Sequence, residues 1–281
     1  MKTLADRIAE FKHQGYTVFE GAFSREQMDR WIAKYPDLVA RQTPPGAANP
    51  TLWLSSVVEY EPWLMLPAVN DPVILDFAER VLGPFVQLDN LTFMGFPSLP
   101  RAEAEGKAGG WHRDIWGWVP TSADYVLPLA CNAITYLQDL DDENGPLRVV
   151  PGSHREAVTV PQDQRTTPHP REQLVYAKAG DVIFTHCALL HSGTPNWSGR
   201  QRYFFSIYYN RSWLRCRDNH AGPNVAKILA HAREKNDRRL LRLFGVDELV
   251  FRRANSGFQV ADEEMWDRWI EEDRALLRGE A

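Results

Sequence analysis

Two short segments of the chain carry the side chains best suited to hold a metal ion. The first, GGWHRDIWGW over residues 109–118, contains His112 and Asp114, whose spacing puts both side chains on one face of an extended strand. The second, which begins AGDVIFTHCALLHSG, contains His191. Two imidazoles and one carboxylate on one side of an ion, with the other positions open, form the ligand set of non-haem Fe(II) oxygenases. The pattern therefore predicts an iron site built from His112, Asp114 and His191.

Such a site must stay open, because the iron has to bind a co-substrate through two oxygens and still leave one position for O₂. Asp114 and His191 are 77 positions apart, which leaves room for several intervening strands. The same three ligands would also serve a zinc-dependent hydrolase or isomerase, which has no use for O₂. A third possibility is a non-catalytic β-barrel protein that binds a small molecule.

Other histidines compete for the role of ligand. His186 lies in the same run as His191 and is an alternative second imidazole, whereas His154 in PGSH lies in a predicted turn. The HRD triplet at 112–114 also occurs in protein kinases. Here, however, Val119 stands where a kinase catalytic loop has Asn, and no glycine-rich loop precedes the triplet. The kinase interpretation is therefore excluded.

Helical patterns flank the region that must position these ligands. LADRIAEFKHQG has an amphipathic period that ends at Gly15, and SREQMDRWIAKY opens on Ser24 followed by Gln27, a capping-box spacing. A third helix is predicted between Asp71, which can cap it, and Gly83, which can end it. Beyond residue 220 the helical pattern returns in KILAHAREKNDRRLLRLFG and DEEMWDRWIEEDRALLRG.

Between residues 85 and 210 the pattern changes to short β runs separated by Pro, Gly and Asn: FVQLDNLTFMGF, CNAITYLQDL, PLRVVPG, EQLVYAKAGDVIF and RYFFSIYYN. Many short strands without alternating helices indicate an antiparallel sandwich or barrel of jelly-roll type. We therefore predict a mainly β fold with flanking helices, in one catalytic domain over residues 1–281. Its parts are an N-terminal helical scaffold (1–84), a jelly-roll core (85–210) and C-terminal helices (211–281) that could form a lid or a dimer contact.

The composition excludes several classes of function. The net charge is −5 and the basic residues are scattered, so the basic stripe that nucleic-acid binding needs is missing. No apolar run approaches the roughly 20 residues of a transmembrane helix, and the charged N-terminus lacks the apolar block of a signal peptide. We therefore expect a cytoplasmic protein. The 3 cysteines lack metal-ligand spacing and support neither a disulfide framework nor a Cys-type zinc site.

Several motifs occur in a fixed order: HQGYTVFEGAFS, WHRD, ENGPLRVVPGSH at 143–154, and GD at 180–181 followed by His191. In this order they resemble the phytanoyl-CoA dioxygenase family of Fe(II)- and 2-oxoglutarate-dependent oxygenases, which includes ectoine hydroxylase and many natural-product tailoring enzymes. The resemblance covers residues 10–210. It implies a double-stranded β-helix core of the cupin type, Fe(II) bound by His112, Asp114 and His191, and 2-oxoglutarate and O₂ as co-substrates. By the same resemblance, His186 falls on a strand that the family uses for packing.

The resemblance also implies which residues bind the co-substrate. The family places an arginine eleven residues after the distal histidine, where it pairs with the far carboxylate of 2-oxoglutarate, and here that residue is Arg202. A guanidinium suits this role because it binds a carboxylate in bidentate fashion and stays charged. Arg200 has the same strand parity, so the family spacing alone favours Arg202. Asn132 and Asn90 lie where the family often supplies polar contacts to 2-oxoglutarate, or else each is simply satisfied at a strand end.

The implied reaction couples decarboxylation of 2-oxoglutarate to oxidation of a substrate C–H bond, by default hydroxylation, with release of succinate and CO₂. Trp116 and Trp118 share the parity of Asp114, so an extended strand would turn both toward the metal. They favour an apolar or ring-containing small-molecule substrate, plausibly one of secondary metabolism. We expect a monomer or homodimer without nucleic-acid or membrane partners.

Overall fold

The computed structural model describes residues 2–253 and 260–280. Two compact units make up the chain. The first consists of Met1–Leu54 and Thr92–Ile207, and the second of Ser55–Leu91 and Tyr208–Ala281. The predicted limit of an N-terminal scaffold at residue 84 does not coincide with either unit, because residues 55–84 cluster with the C-terminal helices. A single catalytic domain stays a prediction.

The strands are short and lie mostly where the β runs were predicted. In chain order they are β1 (Tyr16–Phe19), β2 (Trp53–Leu54), β3 (Val86–Phe96), β4 (Ala130–Tyr136), β5 (Leu147–Val149), β6 (Gln173–Val175), β7 (Val182–His186), β8 (His191–Ser192) and β9 (Arg202–Arg211). One sheet has the strand order β1-β7-β4-β9-β3-β2, and a smaller sheet has the order β6-β5-β8. In the larger sheet β7 pairs antiparallel with β1 and β4, and in the smaller one β5 pairs antiparallel with β6 and β8.

Helices precede and follow these strands. They are α1 (Leu4–Gln14), α2 (Arg25–Gln42), α3 (Val57–Tyr60), α4 (Pro62–Val69), α5 (Pro72–Leu82), α6 (Arg101–Ala104), α7 (Pro223–Glu234), α8 (Arg238–Leu243), α9 (Val250–Arg253) and α10 (Asp262–Arg278), with a 3₁₀ turn at Gln162–Gln164. Within the residues that the structure describes, none of these helices combines the length and the apolar character needed to cross a membrane.

The first unit is held together by a core between its two sheets. Buried side chains from the larger sheet, among them Tyr16, Ile134 and Ile183, cluster with Leu147 and Val149 from the smaller sheet. Burial of each large apolar side chain contributes about 1.5–3 kcal/mol, so this cluster is the main force that keeps the sheets face to face. The smaller sheet therefore has a fixed position from which to present β8.

The helix α1 is anchored where it ends. Thr3 caps its first turn, and Gly15 ends it with a φ of +85°, a conformation that favours glycine. A Cβ built on Gly15 would lie 2.5 Å from Nδ1 of His154, so the helix end packs tightly against the PGSH turn. The Nε2 atom of His154 in turn lies 3.1 Å from the carbonyl of Lys12. The turn prediction for His154 thus fits a structural role at this junction.

The second unit is helical and contains a buried ion network. The guanidinium of Arg242 on α8 donates to Glu79 on α5 at 3.4 Å and to Asp273 on α10 at 2.8 Å. Its other terminal nitrogen donates to Asp247 at 2.9 Å. Removing one partner of a buried ion network leaves an unpaired charge and costs about 3–5 kcal/mol, so this network fixes the packing of α5, α8 and α10.

Two predicted elements are divided in the structure. The run EQLVYAKAGDVIF forms β6 and β7, because a turn intervenes in which Gly180 has a φ of +85° and the Asp181 carboxylate accepts from the Lys178 N–H at 2.8 Å. The helical run after residue 220 forms α7 and α8, because Asn236 has a φ of +54° and Asp237 caps the second helix.

The cap of α5 gives a test of the local interactions. The Asp71 carboxylate accepts from the N–H groups of Val73 and Ile74 at 3.0 and 3.2 Å. We predict that Asp71→Ala lowers the free energy of unfolding by about 1 kcal/mol, because these donors lose their acceptor. Urea denaturation measures the change. Asp71→Asn keeps an acceptor and should retain most of the stability, and equal losses in the two variants would contradict the capping role.

Candidate metal centre

The two metal-ligand segments run side by side as antiparallel chains. The N–H of His112 donates to the carbonyl of His191, and the N–H of His191 donates to the carbonyl of His112, both at 3.0 Å. Farther along, the N–H of Asp114 donates to the carbonyl of Cys187 at 2.9 Å. Directly opposed residues of an antiparallel pair place their side chains on the same face. The bridge therefore brings together two imidazoles that are far apart in the sequence.

The three predicted ligands converge on a small volume. Each residue offers one ligand atom, and these three atoms all lie within 4.8 Å of one another. Oδ1 of Asp114 lies 3.7 Å from Nε2 of His112 and 3.6 Å from Nε2 of His191. The side chains of Asp114 and His191 are each 4 % exposed, whereas that of His112 is 45 % exposed. The cluster is thus buried on one side and open to solvent on the side of His112.

Backbone carbonyls orient both imidazoles. Nδ1 of His112 lies 2.8 Å from the carbonyl of Gly110, and Nδ1 of His191 lies 3.0 Å from the carbonyl of Leu189. In each case the acceptor belongs to the residue two positions earlier, so the proton of a neutral ring is held on Nδ1. The lone pairs of both Nε2 atoms then point to the shared centre, as metal-binding histidines require.

The electrostatics keep His112 available as a ligand. The neighbouring ring of His191 lowers the pKa of His112, and burial and the guanidinium of Arg165 lower it further, while Asp114 acts in the opposite direction. A lowered pKa favours the neutral imidazole, which is the form that binds a metal.

The carboxylate of Asp114 is oriented by two more buried side chains. Its Oδ2 accepts from Nδ2 of Asn132 at 3.4 Å, and Oδ1 of Asn132 accepts from the hydroxyl of Ser206 at 3.0 Å. The amide therefore holds one carboxylate oxygen and leaves the other, Oδ1, facing the two imidazoles. The structure thus places Asn132 against the acidic ligand itself.

Arg202 lies at the start of β9, close to the strand that carries His191. Its Nη1 donates to the carbonyls of Asn144, Gly145 and Thr194 at 2.7, 2.9 and 2.7 Å. The residue is only 6 % exposed. Since Thr194 follows His191 by three positions, these bonds fix the guanidinium beside the segment that carries His191.

The guanidinium of Arg202 is incompletely paired. Its Nε is buried and has no hydrogen-bond partner, and among the described residues no carboxylate forms an ion pair with it. Burial lowers its pKa, an effect opposed by Tyr136, but an arginine starts so high that it stays charged. A buried cation without a counter-charge is costly, and a ligand carboxylate would satisfy it. The donors present at the site therefore fit both a metal ion and a dicarboxylic co-substrate.

Gly145 makes the close approach of Arg202 possible. It has a φ of +85°, and a Cβ there would lie 2.5 Å from the carbonyl oxygen of Thr194 and 2.7 Å from Nη1 of Arg202. Any side chain would therefore displace the guanidinium. The ENGP motif that contains Gly145 was part of the family resemblance, but the pattern alone assigned this glycine no role.

The alternative candidates for the metal-ligand and carboxylate-binding roles lie elsewhere. His186 is buried, with Nε2 3.2 Å from the carbonyl of Val126, and the Ala188 N–H donates to its Nδ1 at 3.0 Å. Burial lowers its pKa to about 3, and burial lowers the pKa of His154 to about 4. Both rings are thus neutral groups of the packing. Arg200 is exposed, so it lacks the buried setting of Arg202.

The tryptophans do not continue the strand of Asp114. The N–H of Gly117 donates to the carbonyl of Asp114 at 3.0 Å, and Trp116 has a φ of +65°, so the chain turns directly after the ligand. The parity argument for Trp116 and Trp118 is therefore wrong, because it requires an extended strand. Trp118 is 63 % exposed, and a role for either residue in substrate binding stays a prediction.

The predicted polar residue Asn90 is buried on β3. Its Nδ2 donates to the carboxylate of Asp218 at 3.1 Å, and the N–H of Leu91 donates to the same carboxylate at 2.8 Å. The structure thus shows a protein partner for this amide, and its contact with 2-oxoglutarate stays a prediction.

Sequence reasoning missed the groups that orient the ligands. The carbonyls of Gly110 and Leu189 have no sequence signature, because every residue carries a carbonyl group. Ser206 and Thr194 are likewise found only once the strands are paired. For Gly145 a signal was present, since an Asn-Gly-Pro sequence predicts a turn with an unusual glycine.

Comparisons with known proteins place the chain in a family. A sequence profile described as phytanoyl-CoA dioxygenase matches residues 11–204. An ectoine dioxygenase from Bordetella parapertussis is 26 % identical over 239 residues, which cover 73 % of this chain and 75 % of the relative. An L-proline trans-4-hydroxylase from Streptomyces griseoviridis is 28 % identical over 170 residues, covering 51 % of this chain and 61 % of the relative.

Solved structures show the same fold. HygX from Streptomyces hygroscopicus, with nickel and 2-oxoglutarate bound, matches with a TM-score of 0.60 and 16 % identity over 75 % of this chain and 88 % of its own. The non-heme alpha-ketoglutarate-dependent epimerase SnoN from nogalamycin biosynthesis matches with a TM-score of 0.56 and 22 % identity over 74 % of this chain and 81 % of its own. The predicted mainly β, jelly-roll fold with flanking helices is thereby confirmed.

The contact between Asn132 and Asp114 leads to a prediction about metal affinity. Asn132→Ala should weaken binding of Zn(II) or Co(II) about 10- to 100-fold, because loss of an orienting hydrogen bond frees the carboxylate. Metal titration followed by calorimetry measures the effect. Thr135→Val is the matched control, since it removes a buried hydroxyl that has no partner from the opposite face of β4. Equal affinities of the Asn132→Ala and control proteins would contradict the orienting role.

The fit between Gly145 and Arg202 leads to a second prediction. Gly145→Ala should weaken binding of 2-oxoglutarate to the zinc-loaded protein about 10-fold or more, because the new methyl group displaces the charged donor. Gly199→Ala is the control, because Gly199 also has a positive φ, of +74°, but has open space around it. Calorimetric titration should show a loss in the first variant only. Parallel losses would mean that backbone strain alone explains the effect.

Proposed function

The chain belongs to the phytanoyl-CoA dioxygenase family and is a non-haem Fe(II)- and 2-oxoglutarate-dependent dioxygenase, and from this premise we propose that it hydroxylates a C–H bond of a small organic molecule. The observation that carries the proposal is the convergence of two imidazoles and one carboxylate within 4.8 Å beside a buried, incompletely paired arginine. Iron, 2-oxoglutarate and O₂ are the cofactor and co-substrates of this family.

His112, Asp114 and His191 would hold the iron. When bound there together with 2-oxoglutarate, iron supplies the oxidation of a substrate C–H bond, with succinate and CO₂ as the other products. The protein's part is to orient its ligands through fixed hydrogen bonds and to leave the remaining positions of the metal open. The Nδ1 contacts of both histidines and the amide of Asn132 do this orienting.

Arg202 would hold the far carboxylate of 2-oxoglutarate. Three backbone carbonyls already fix its Nη1. Binding of a carboxylate to Nε therefore costs little further side-chain entropy. The guanidinium is buried, and the aromatic rings of Phe96, Tyr136 and Phe204 lie about 6 Å from it. In such a low-dielectric setting a charge-assisted hydrogen bond is stronger than in water. Asn132 and Asn90 remain our candidates for further polar contacts.

The names of the relatives support a substrate class. Two of these names refer to ectoine and L-proline, which are small ring compounds, and SnoN comes from nogalamycin biosynthesis. We therefore propose a small ring-containing compound of secondary metabolism as the substrate, with Trp116 and Trp118 as candidate contacts. Epimerisation, the reaction for which SnoN is named an epimerase, uses the same kind of site and is the second outcome to be measured.

The alternatives leave features of the site without a use. A zinc hydrolase or isomerase would need the same triad but would have no role for a buried arginine that forms no ion pair with any carboxylate of the described residues. A non-catalytic binding protein would need neither the shared tautomer of the two histidines nor the polar support of Asp114. Membership of a dioxygenase family agrees with this judgement.

The function is tested by turnover. We predict that the purified protein, supplied with Fe(II), ascorbate and 2-oxoglutarate, forms succinate and consumes O₂ when it meets its substrate. The panel should include ectoine, L-proline and metabolite extracts, and mass spectrometry should find a product that is heavier by one oxygen. Failure of the metal-loaded protein to bind 2-oxoglutarate would refute the proposal whatever the panel contains.

Variants separate the roles of the metal and co-substrate residues. Asp114→Ala should reduce succinate formation to background and abolish metal binding. Arg202→Gln should keep the metal but raise the KM for 2-oxoglutarate about 10- to 100-fold, because a charge-assisted pair is lost. Arg200→Gln is the matched control two positions away and should behave as the unmodified protein. A KM that changes equally in the two arginine variants would reject the assignment.

A further inference from the structure

The loop of residues 165–167 is hydrogen-bonded to Trp111, the residue before His112. The carbonyl of Arg165 accepts from the N–H of Trp111 at 2.9 Å, and the carbonyl of Thr167 accepts from the indole N–H of the same tryptophan at 2.8 Å. The carbonyl of Thr166 accepts from the N–H of Ala108 at 2.8 Å. These bonds fix residues 165–167 against residues 108–111, directly before His112.

The guanidinium of Arg165 lies next to Gly110 and Trp111. Its Nε donates to the carbonyl of Trp111 at 3.4 Å, and its Nη2 lies 3.9 Å from the Cβ position of Gly110. Gly110 is also the residue whose carbonyl fixes the ring of His112. Arg165 is exposed, as is nearly half of the His112 side chain, and the positive charge of Arg165 lies close enough to act on the His112 ring.

Arg165 differs from Arg113 and Arg171 in that, among the described residues, neither of its terminal nitrogens has a partner. Arg113 donates through Nε to the carbonyl of Ala188 and through Nη2 to that of Ser153, so its function is to brace the chain. Arg171, in the same loop as Arg165, forms an ion pair with Glu156 at 2.7 Å. Over the described part of the chain, neither terminal nitrogen of Arg165 makes a hydrogen bond and no carboxylate lies within ion-pair distance.

This arrangement suits recognition of an anion. A guanidinium with both terminal nitrogens free presents the planar pair of donors that binds a carboxylate or a phosphate in bidentate fashion. The charges of the iron, Asp114, 2-oxoglutarate and Arg202 balance one another, so the charge of Arg165 is left for a further ligand.

We infer that Arg165 is a substrate-binding residue that takes an anionic group, a carboxylate or a phosphate, of the molecule to be oxidised. The inference rests on the proposed function, since the substrate is the molecule that enters from the open side of the metal centre. Arg165 contacts Trp111, which directly precedes the candidate ligand His112. A substrate whose anionic group is bound by Arg165 must therefore have its reactive carbon only a short distance from that group. Arg165 thereby determines both the charge and the size of the substrate.

The test uses the full chain loaded with Zn(II) and saturated with 2-oxoglutarate, so that Arg202 is already engaged. Acetate and methyl phosphate serve as anionic probes and acetamide as the neutral probe, with binding followed by calorimetry and ligand-observed NMR. We expect the anions to bind in preference to acetamide, and R165Q to weaken anion binding about 10-fold or more. R165K keeps the charge but loses the planar fork, and it should retain part of the affinity. Preference for acetate or for methyl phosphate tells a carboxylate site from a phosphate site.

Controls separate this inference from the function on which it rests. R171Q removes a loop arginine that already has a partner and should bind the anions normally. R165Q should bind 2-oxoglutarate as the unmodified protein does. If 2-oxoglutarate fails to bind to the unmodified protein, the proposed function fails. If 2-oxoglutarate binds but the anions bind no better than acetamide, or bind R165Q equally well through the metal itself, the inference about Arg165 is overturned.

Discussion

Two backbone hydrogen bonds between His112 and His191 are the constraint on which the site depends. They join segments from distant parts of the sequence and set both imidazoles on one face. Asp114, two positions along the same extended segment, reaches the same centre with one oxygen while Asn132 holds the other. The strand β5, which pairs with β8, contributes Leu147 and Val149 to the core between the two sheets. The apolar core thus helps to fix the strand that carries His191.

Some features of this site can be predicted from the sequence, and others cannot. The spacing of His112 and Asp114 correctly placed two side chains on one face, because period-two alternation holds for a segment that pairs with a neighbour. The same rule was wrong two residues later, because the chain turns after Asp114 and Trp116 adopts a positive φ. The caps at Ser24 and Asp71 were correct, since a cap depends on residues close in sequence. The support of Asp114 by Asn132 and Ser206 could not be predicted, because it depends on which strands become neighbours.

Two buried arginines of this chain show how differently a cation can be accommodated. Arg242 is surrounded by Glu79, Asp247 and Asp273, and its charge is neutralised within its own helical unit. Among the residues that the structure describes, Arg202 contacts neutral carbonyls and aromatic rings, and its Nε is unpaired. Burial of a charge in this second manner destabilises the free protein. The stability that is lost at Arg202 can be recovered when a carboxylate binds there. The protein should then be more stable with its co-substrate than without it.

The orientation of the two histidines is encoded in the main chain. Their acceptors are the carbonyls of Gly110 and Leu189, and a change of side chain cannot delete a carbonyl group. At position 189 the acceptor would therefore survive exchange for any residue that fits the core. Enzymes that use a carboxylate side chain for the same purpose can lose the correct tautomer by one point mutation. Here that route of inactivation is closed for the two candidate ligands. The residues around them can therefore diverge over evolutionary time, as new substrates are acquired, while both rings keep their protonation pattern.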